Sequence, residues 1–95
     1  MPALRFTRRA RRDLDEILDY VADHDYLAAV RLLARLEAKC RLLARYPQAG
    51  RVRRELRAGV RSFPVKPYVV YYAAERGRVT VLRILHGARD VATLI

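Results

Sequence analysis

The sequence predicts an α+β domain: a helix hairpin packed on a small, mainly antiparallel sheet that an N-terminal strand joins. Three observations carry the prediction. Apolar residues recur at spacings of three and four through the first half of the chain. After residue 59 the period drops to two, and the two helical stripes are separated by a connection too short for anything but an antiparallel return. At 95 residues and 53% hydrophobic composition, residues 1–95 have room for one core and form a single domain.

Ala3-Leu4-Arg5-Phe6 reads as a short strand, and Thr7 follows as an N-cap whose hydroxyl accepts from an orphan helix amide. Ala10, Leu14, Ile17, Leu18 and Val21 then mark one face of a helix running to about Ala22. Its charges oppose the helix dipole, with cations first and anions last; Arg9 with Asp13 and Arg12 with Glu16 recover only a few tenths of a kcal/mol per pair. Asp25 caps a second helix whose inward stripe is Ala29, Leu33, Leu36, Cys40 and Leu43, and Pro47 and Gly50 end it near Tyr46. Cys40 on that stripe reads as a small buried thiol rather than a nucleophile. Leu32 and Leu42 fall off it and point to a further apolar contact surface.

Three strands follow, Val60 to Val65, Tyr68 to Ala74 and Arg78 to Leu85. Glu75-Arg76-Gly77 makes a hairpin turn because glycine supplies positive φ without a Cβ clash. The last strand is apolar on both faces apart from Arg83, which places it inside the sheet, whereas Pro64 and Pro67 suit an edge or a bulge. Residues 87–95 form a short tail.

Twenty Lys and Arg against ten Asp and Glu give a net charge of +10. Six of the ten acids lie between Asp13 and Asp25, a stretch with no base; residues 1–12 and 51–66 concentrate the cations. Such a field attracts a polyanion or an acidic partner chain. One cysteine and two histidines are too few for a structural zinc site, and no apolar run approaches the roughly 20 residues of a spanning helix. The expectation is a cytoplasmic protein needing no metal or cofactor and no membrane.

Asp13-Leu14, Ala28-Ala29, Pro47 with Gly50-Arg51, Arg61-Ser62-Phe63, Tyr68-Val69-Val70-Tyr71 and Leu85-His86-Gly87-Ala88-Arg89-Asp90 occur in an order and spacing that resembles the ParE branch of the RelE/ParE toxins. The resemblance spans essentially the whole chain and is most specific at its end. It implies the toxin of a type II toxin-antitoxin pair, a class tied to plasmid maintenance and stress response. The toxin would be neutralised in a hetero-oligomer by a ParD-like antitoxin with an acidic or amphipathic tail, and would meet DNA only through that complex. ParE toxins are associated with DNA gyrase and RelE toxins with messenger RNA cleavage on the ribosome, so the site must decide between them.

Metal-free RNA cleavage needs a base for the 2′-hydroxyl, an acid for the leaving oxygen and cations for the phosphate. Arg61, Arg83, His86 and Arg89 are the residues that would serve a ribonuclease. In the ribonuclease branch an arginine follows the middle-strand tyrosine and the tail carries a tyrosine; here Val69 follows Tyr68 and no aromatic occurs after Tyr72. The reading is therefore a non-catalytic gyrase inhibitor, with the same Arg61, Arg83, His86 and Arg89 as target contacts. Leu32, Arg35, Leu42, Arg53 and Arg57 are assigned to the antitoxin. A plain nucleic-acid-binding module is a further alternative, with Tyr68, Tyr71 or Tyr72 stacking on bases. Tyrosines alternating in an apolar strand are expected to be half core and half surface.

Overall fold

A computed structural model describes residues 3–87 and 91–95. The chain runs β1 (Ala3–Phe6), α1 (Arg8–His24), α2 (Tyr26–Arg45), β2 (Arg51–Val52), β3 (Val60–Val65), β4 (Tyr68–Glu75) and β5 (Arg78–His86), then a single 3-10 turn, Val91–Thr93. The five strands form one sheet in the order β1-β5-β4-β3-β2, with β1 parallel to β5 and the other pairs antiparallel. This is the expected architecture. The addition is β2, a two-residue strand against Arg61 and Ser62 in what the sequence presents as a link.

Both caps form as read. Thr7 Oγ1 accepts from the Ala10 amide at 3.0 Å, and Asp25 Oδ1 from the Ala28 amide at 3.1 Å, so one residue between the helices both ends α1 and starts α2. The hairpin packs on one face of the sheet around Leu36, Cys40, Leu43, Val70, Tyr72 and Val81. Leu32 belongs to this core at 6% exposure, which corrects its assignment to a partner surface. The buried stripe of α2 is Ala29, Leu32, Leu36, Cys40 and Leu43, a regular 3-4-4-3 spacing, and Leu33 lies only on its flank. Leu42 remains exposed, as expected.

A smaller cluster covers part of the opposite sheet face, where Val60, Tyr71 and Leu85 meet Leu56 and the tail residues Val91, Leu94 and Ile95. Tyr71 and Tyr72 do point to opposite faces, but both are buried rather than half exposed because each face has a cover. Neither offers a ring to a base. Pro64 lies on the part of β3 beyond its pairing with β2, where no partner strand needs its missing amide.

Candidate functional site

The sheet ends unevenly, and that unevenness builds the site. β1 pairs with β5 only as far as Val81, leaving the strand edge from Leu82 onward without a partner strand on that side. Side chains take over. The Thr7 hydroxyl donates to the Leu82 carbonyl at 2.9 Å, and Asp13 Oδ2 accepts from the Ile84 amide at 3.0 Å. Asp13 also holds Arg83, with Nε to Oδ2 at 2.7 Å and Nη2 to Oδ1 at 3.0 Å, while Arg83 Nη1 donates to the Leu94 carbonyl at 2.9 Å. These bonds to Asp13 raise the Arg83 pKa above its ordinary value despite burial, which works the other way.

Arg83 therefore sits inside the protein, tying α1 to β5 and to the tail, and is not a surface contact of the kind the sequence suggests. Asp13 interrupts the apolar stripe between Ala10 and Ile17, and Arg83 interrupts an apolar strand. Each anomaly in the sequence signals the other, because a charge in such a position is retained when it is paired.

Arg61 is also engaged: its Nη1 donates to the Gly50 carbonyl at 2.8 Å and, at 3.4 Å, to that of Gln48. The same loop is held from below by Tyr72, whose hydroxyl donates to the Pro47 carbonyl and accepts from the Gly50 amide, both at 2.8 Å. Burial raises the Tyr72 pKa, keeping the phenol protonated for both bonds. A Cβ on Gly50 would lie 2.5 Å from that hydroxyl and 2.9 Å from the Ser62 carbonyl, so glycine is needed for the close approach.

His86 closes β5 at the other end, opposite Tyr68, with the two rings edge to face at 5.8 Å. Arg61 lies opposite Tyr72, so the rows of Arg61 and His86 are four residues apart, roughly 14 Å along the sheet. Arg61, Arg83 and His86 do not converge on one phosphate-sized point. Arg89 lies outside the described residues.

Among the residues assigned to an antitoxin, Arg35 reaches across to the Lys66 carbonyl at 2.8 Å and Arg57 is exposed on the turn before β3. Arg53 bonds Glu55 at 2.6 Å and Ser62 Oγ at 3.2 Å, with its guanidinium 5.7 Å from the centre of the Tyr71 ring. The Glu55 bond raises the Arg53 pKa and lowers that of Glu55. Together with exposed Arg51, Arg54 and Arg57, Arg53 makes one rim of the sheet strongly basic.

Two concavities flank α1. A groove of about 270 Å³ beside β1 has an apolar lining of Leu4, Phe6, Leu14 and Leu33, with Arg11, Arg41 and Glu37 at its border. The other, about 610 Å³, opens between α1 and the His86 end of the sheet and was not legible as a site in the sequence. Among the described residues, no group of three or more His, Cys, Asp or Glu is placed to hold a metal ion.

A sequence model described as "ParE toxin of type II toxin-antitoxin system, parDE" matches residues 4–91. The chain belongs to the ParE toxin family. It is 37% identical to Toxin ParE3 of Caulobacter vibrioides over 87 residues, covering 90% of this chain and 87% of that protein. It is 39% identical to Toxin RelE2 of the same organism over 90 residues, covering 94% and 99%. Among solved structures, a chain of the chromosomal ParDE TA system from P. aeruginosa shares the fold, with a TM-score of 0.76 and 24% identity over 90% of this chain and 96% of that one. This ParE-family protein is thus the toxin of a type II toxin-antitoxin system, with the α+β fold expected of it.

Proposed function

We propose that this ParE-family toxin inhibits DNA gyrase without catalysing a reaction, and that a ParD-like antitoxin neutralises it in a hetero-oligomer. The observation that carries the non-catalytic reading is how the candidate cations are used. Arg83 is committed to Asp13 and Leu94, Arg61 to Gly50, and His86 stands roughly 14 Å along the sheet from Arg61's row. An in-line attack on a phosphodiester wants base, acid and cation around one group.

Two surfaces support the antitoxin reading. The outward face of α2 exposes Leu27, Val30 and Leu42 among Arg31, Arg35, Arg41 and Arg45, and the groove beside β1 sets apolar residues between Arg11 and Arg41, which outnumber Glu37 there. Acidic side chains flanking an aliphatic stripe complement both.

The RelE-like reading, a ribosome-dependent messenger RNA endonuclease, keeps one observation in its favour: His86 lines a groove beside Tyr68. A supercoiling assay with purified gyrase, run beside a ribosome-dependent cleavage assay, separates the two. Loss of supercoiling with accumulation of cleaved DNA and intact messenger RNA is the expected result. Messenger RNA cleavage abolished by His86→Ala would replace it with the ribonuclease.

A further inference from the structure

In a chain of net charge +10, the groove beside β1 and three further ones, along the β4–β5 hairpin, beside Leu94 and beside Pro47, are each bordered by at least one arginine. The groove between α1 and the His86 end of the sheet is bordered by none among the described residues. It is lined by Ile17 and Tyr20 on α1, Tyr68 on β4 and Ile84 and His86 on β5, with exposed Glu16 at its lip; the Leu85 side chain packs on the opposite sheet face. Asp13 also lines it, but both Asp13 oxygens are taken by Arg83 and Ile84. Asp19 and Asp23, both exposed, continue the negative surface along α1 past Tyr20.

We propose that this aromatic groove docks an arginine-bearing, basic segment of a partner protein. The guanidinium would lie between the Tyr20 and Tyr68 rings and donate to the Glu16 carboxylate, while apolar neighbours on the same segment cover Ile17. The chemistry selects that occupant. Aromatic faces attract cations through the ring quadrupole, a carboxylate at the lip completes the pair, and about 610 Å³ admits one long side chain with its flanks. Tyr20 is 67% exposed, and its ring packs against that of His24 at 4.9 Å. A phosphate would instead meet Glu16, and the acidic tail expected of an antitoxin would be repelled by Asp19 and Asp23. The groove thus gives the toxin a second, oppositely charged docking surface. It rests on the proposed function only if that basic partner is the toxin's target.

The test is NMR titration of the isotope-labelled chain with the capped peptide acetyl-Leu-Arg-Leu-amide, with acetyl-Leu-Glu-Leu-amide and an eight-residue oligothymidylate as controls. The arginine peptide should give saturable shifts centred on Ile17, Tyr20, Tyr68 and His86, and the controls should not. Glu16→Gln and Tyr20→Ala, both at exposed side chains, should each weaken that binding about tenfold while leaving the rest of the spectrum in place. Equal shifts from the glutamate peptide or the oligonucleotide, or shifts that lie elsewhere or never saturate, would overturn the proposal. The peptide reads the groove alone and the supercoiling assay reads the target, so either idea can fail without the other.

Discussion

Asp13 and Arg83 are 70 residues apart in sequence and meet through two parallel hydrogen bonds at 2.7 and 3.0 Å, each side chain about nine-tenths buried. The pair stands where β1 stops, and Asp13 does there what a longer β1 would have done, accepting the Ile84 amide. The first helix is thereby fixed to the strand that carries His86, and the tail to both through Leu94.

Removing either partner leaves a buried charge uncompensated, so Asp13→Ala and Arg83→Ala should each lose about 3–5 kcal/mol of stability in urea unfolding. Arg83→Lys should not rescue, because an ammonium cannot present the two-pronged donor geometry. The double variant Asp13→Leu/Arg83→Met should recover much of the loss. If it is as unstable as the sum of the two single changes, the pairing account is wrong.

Tyr72 and Gly50 form a second structural joint. Tyr72→Phe keeps the ring but strands the buried Gly50 amide, and a cost of about 1–3 kcal/mol is expected. Gly50→Ala should cost a similar amount, about 1–3 kcal/mol, by overpacking, since one of the atoms it meets is the backbone carbonyl of Ser62 and cannot swing away. Both follow from denaturant midpoints at constant m-value.

What the sequence made legible was local. Thr7 and Asp25 as caps, the bounds of β3 and the turn after Glu75 depend on neighbouring residues and came through intact. What it hid was long-range. Leu32 looked like surface because the position of the α2 stripe is set by how the helix lies on α1 and the sheet. Arg61 and Arg83 looked available because a guanidinium's partner depends on chain brought from elsewhere, Gly50 in one case and Asp13 in the other. The groove beside Tyr20 is a space between elements, and no spacing within either element encodes it.

The hairpin joining β4 and β5 turns on Arg76 and Gly77, with φ of +50° and +73°. Two consecutive positive φ values fit the turn that matches strand twist, and arginine is a poor choice for the first. Arg76→Asn or Arg76→Gly should therefore leave stability unchanged or raise it by up to about 1 kcal/mol, while Gly77→Ala should lower it by about 1 kcal/mol. Thermal unfolding of the three variants checks the ordering.

Burial raises the Cys40 thiol from 9.0 to about 11, and Tyr72 shifts upward for the same reason. A group whose folded pKa is raised contributes its full stability below the unfolded value and loses it as pH climbs through the folded value. Stability should thus fall between about pH 9 and 11, less steeply in Cys40→Ala than in the parent chain. At pH 8 a thiol reagent should modify Cys40 only as fast as the protein opens. Rapid labelling of the folded chain would contradict its place in the core.

The basic rim bears on the antitoxin reading through rates rather than affinity alone. Arg51, Arg54 and Arg57 are exposed beside β2, where their field reaches about 10 Å into 0.1 M salt. Association with a ParD-like antitoxin, followed by stopped flow, should slow roughly tenfold or more between low salt and about 0.5 M, with much less change in dissociation. Arg54→Gln/Arg57→Gln should flatten that dependence without altering the fold, since neither side chain is buried. Glu16→Gln, on the acidic side of α1, should leave the antitoxin's association rate nearly unchanged. An equal salt response in all three proteins would mean that the cations beside β2 do not steer the encounter.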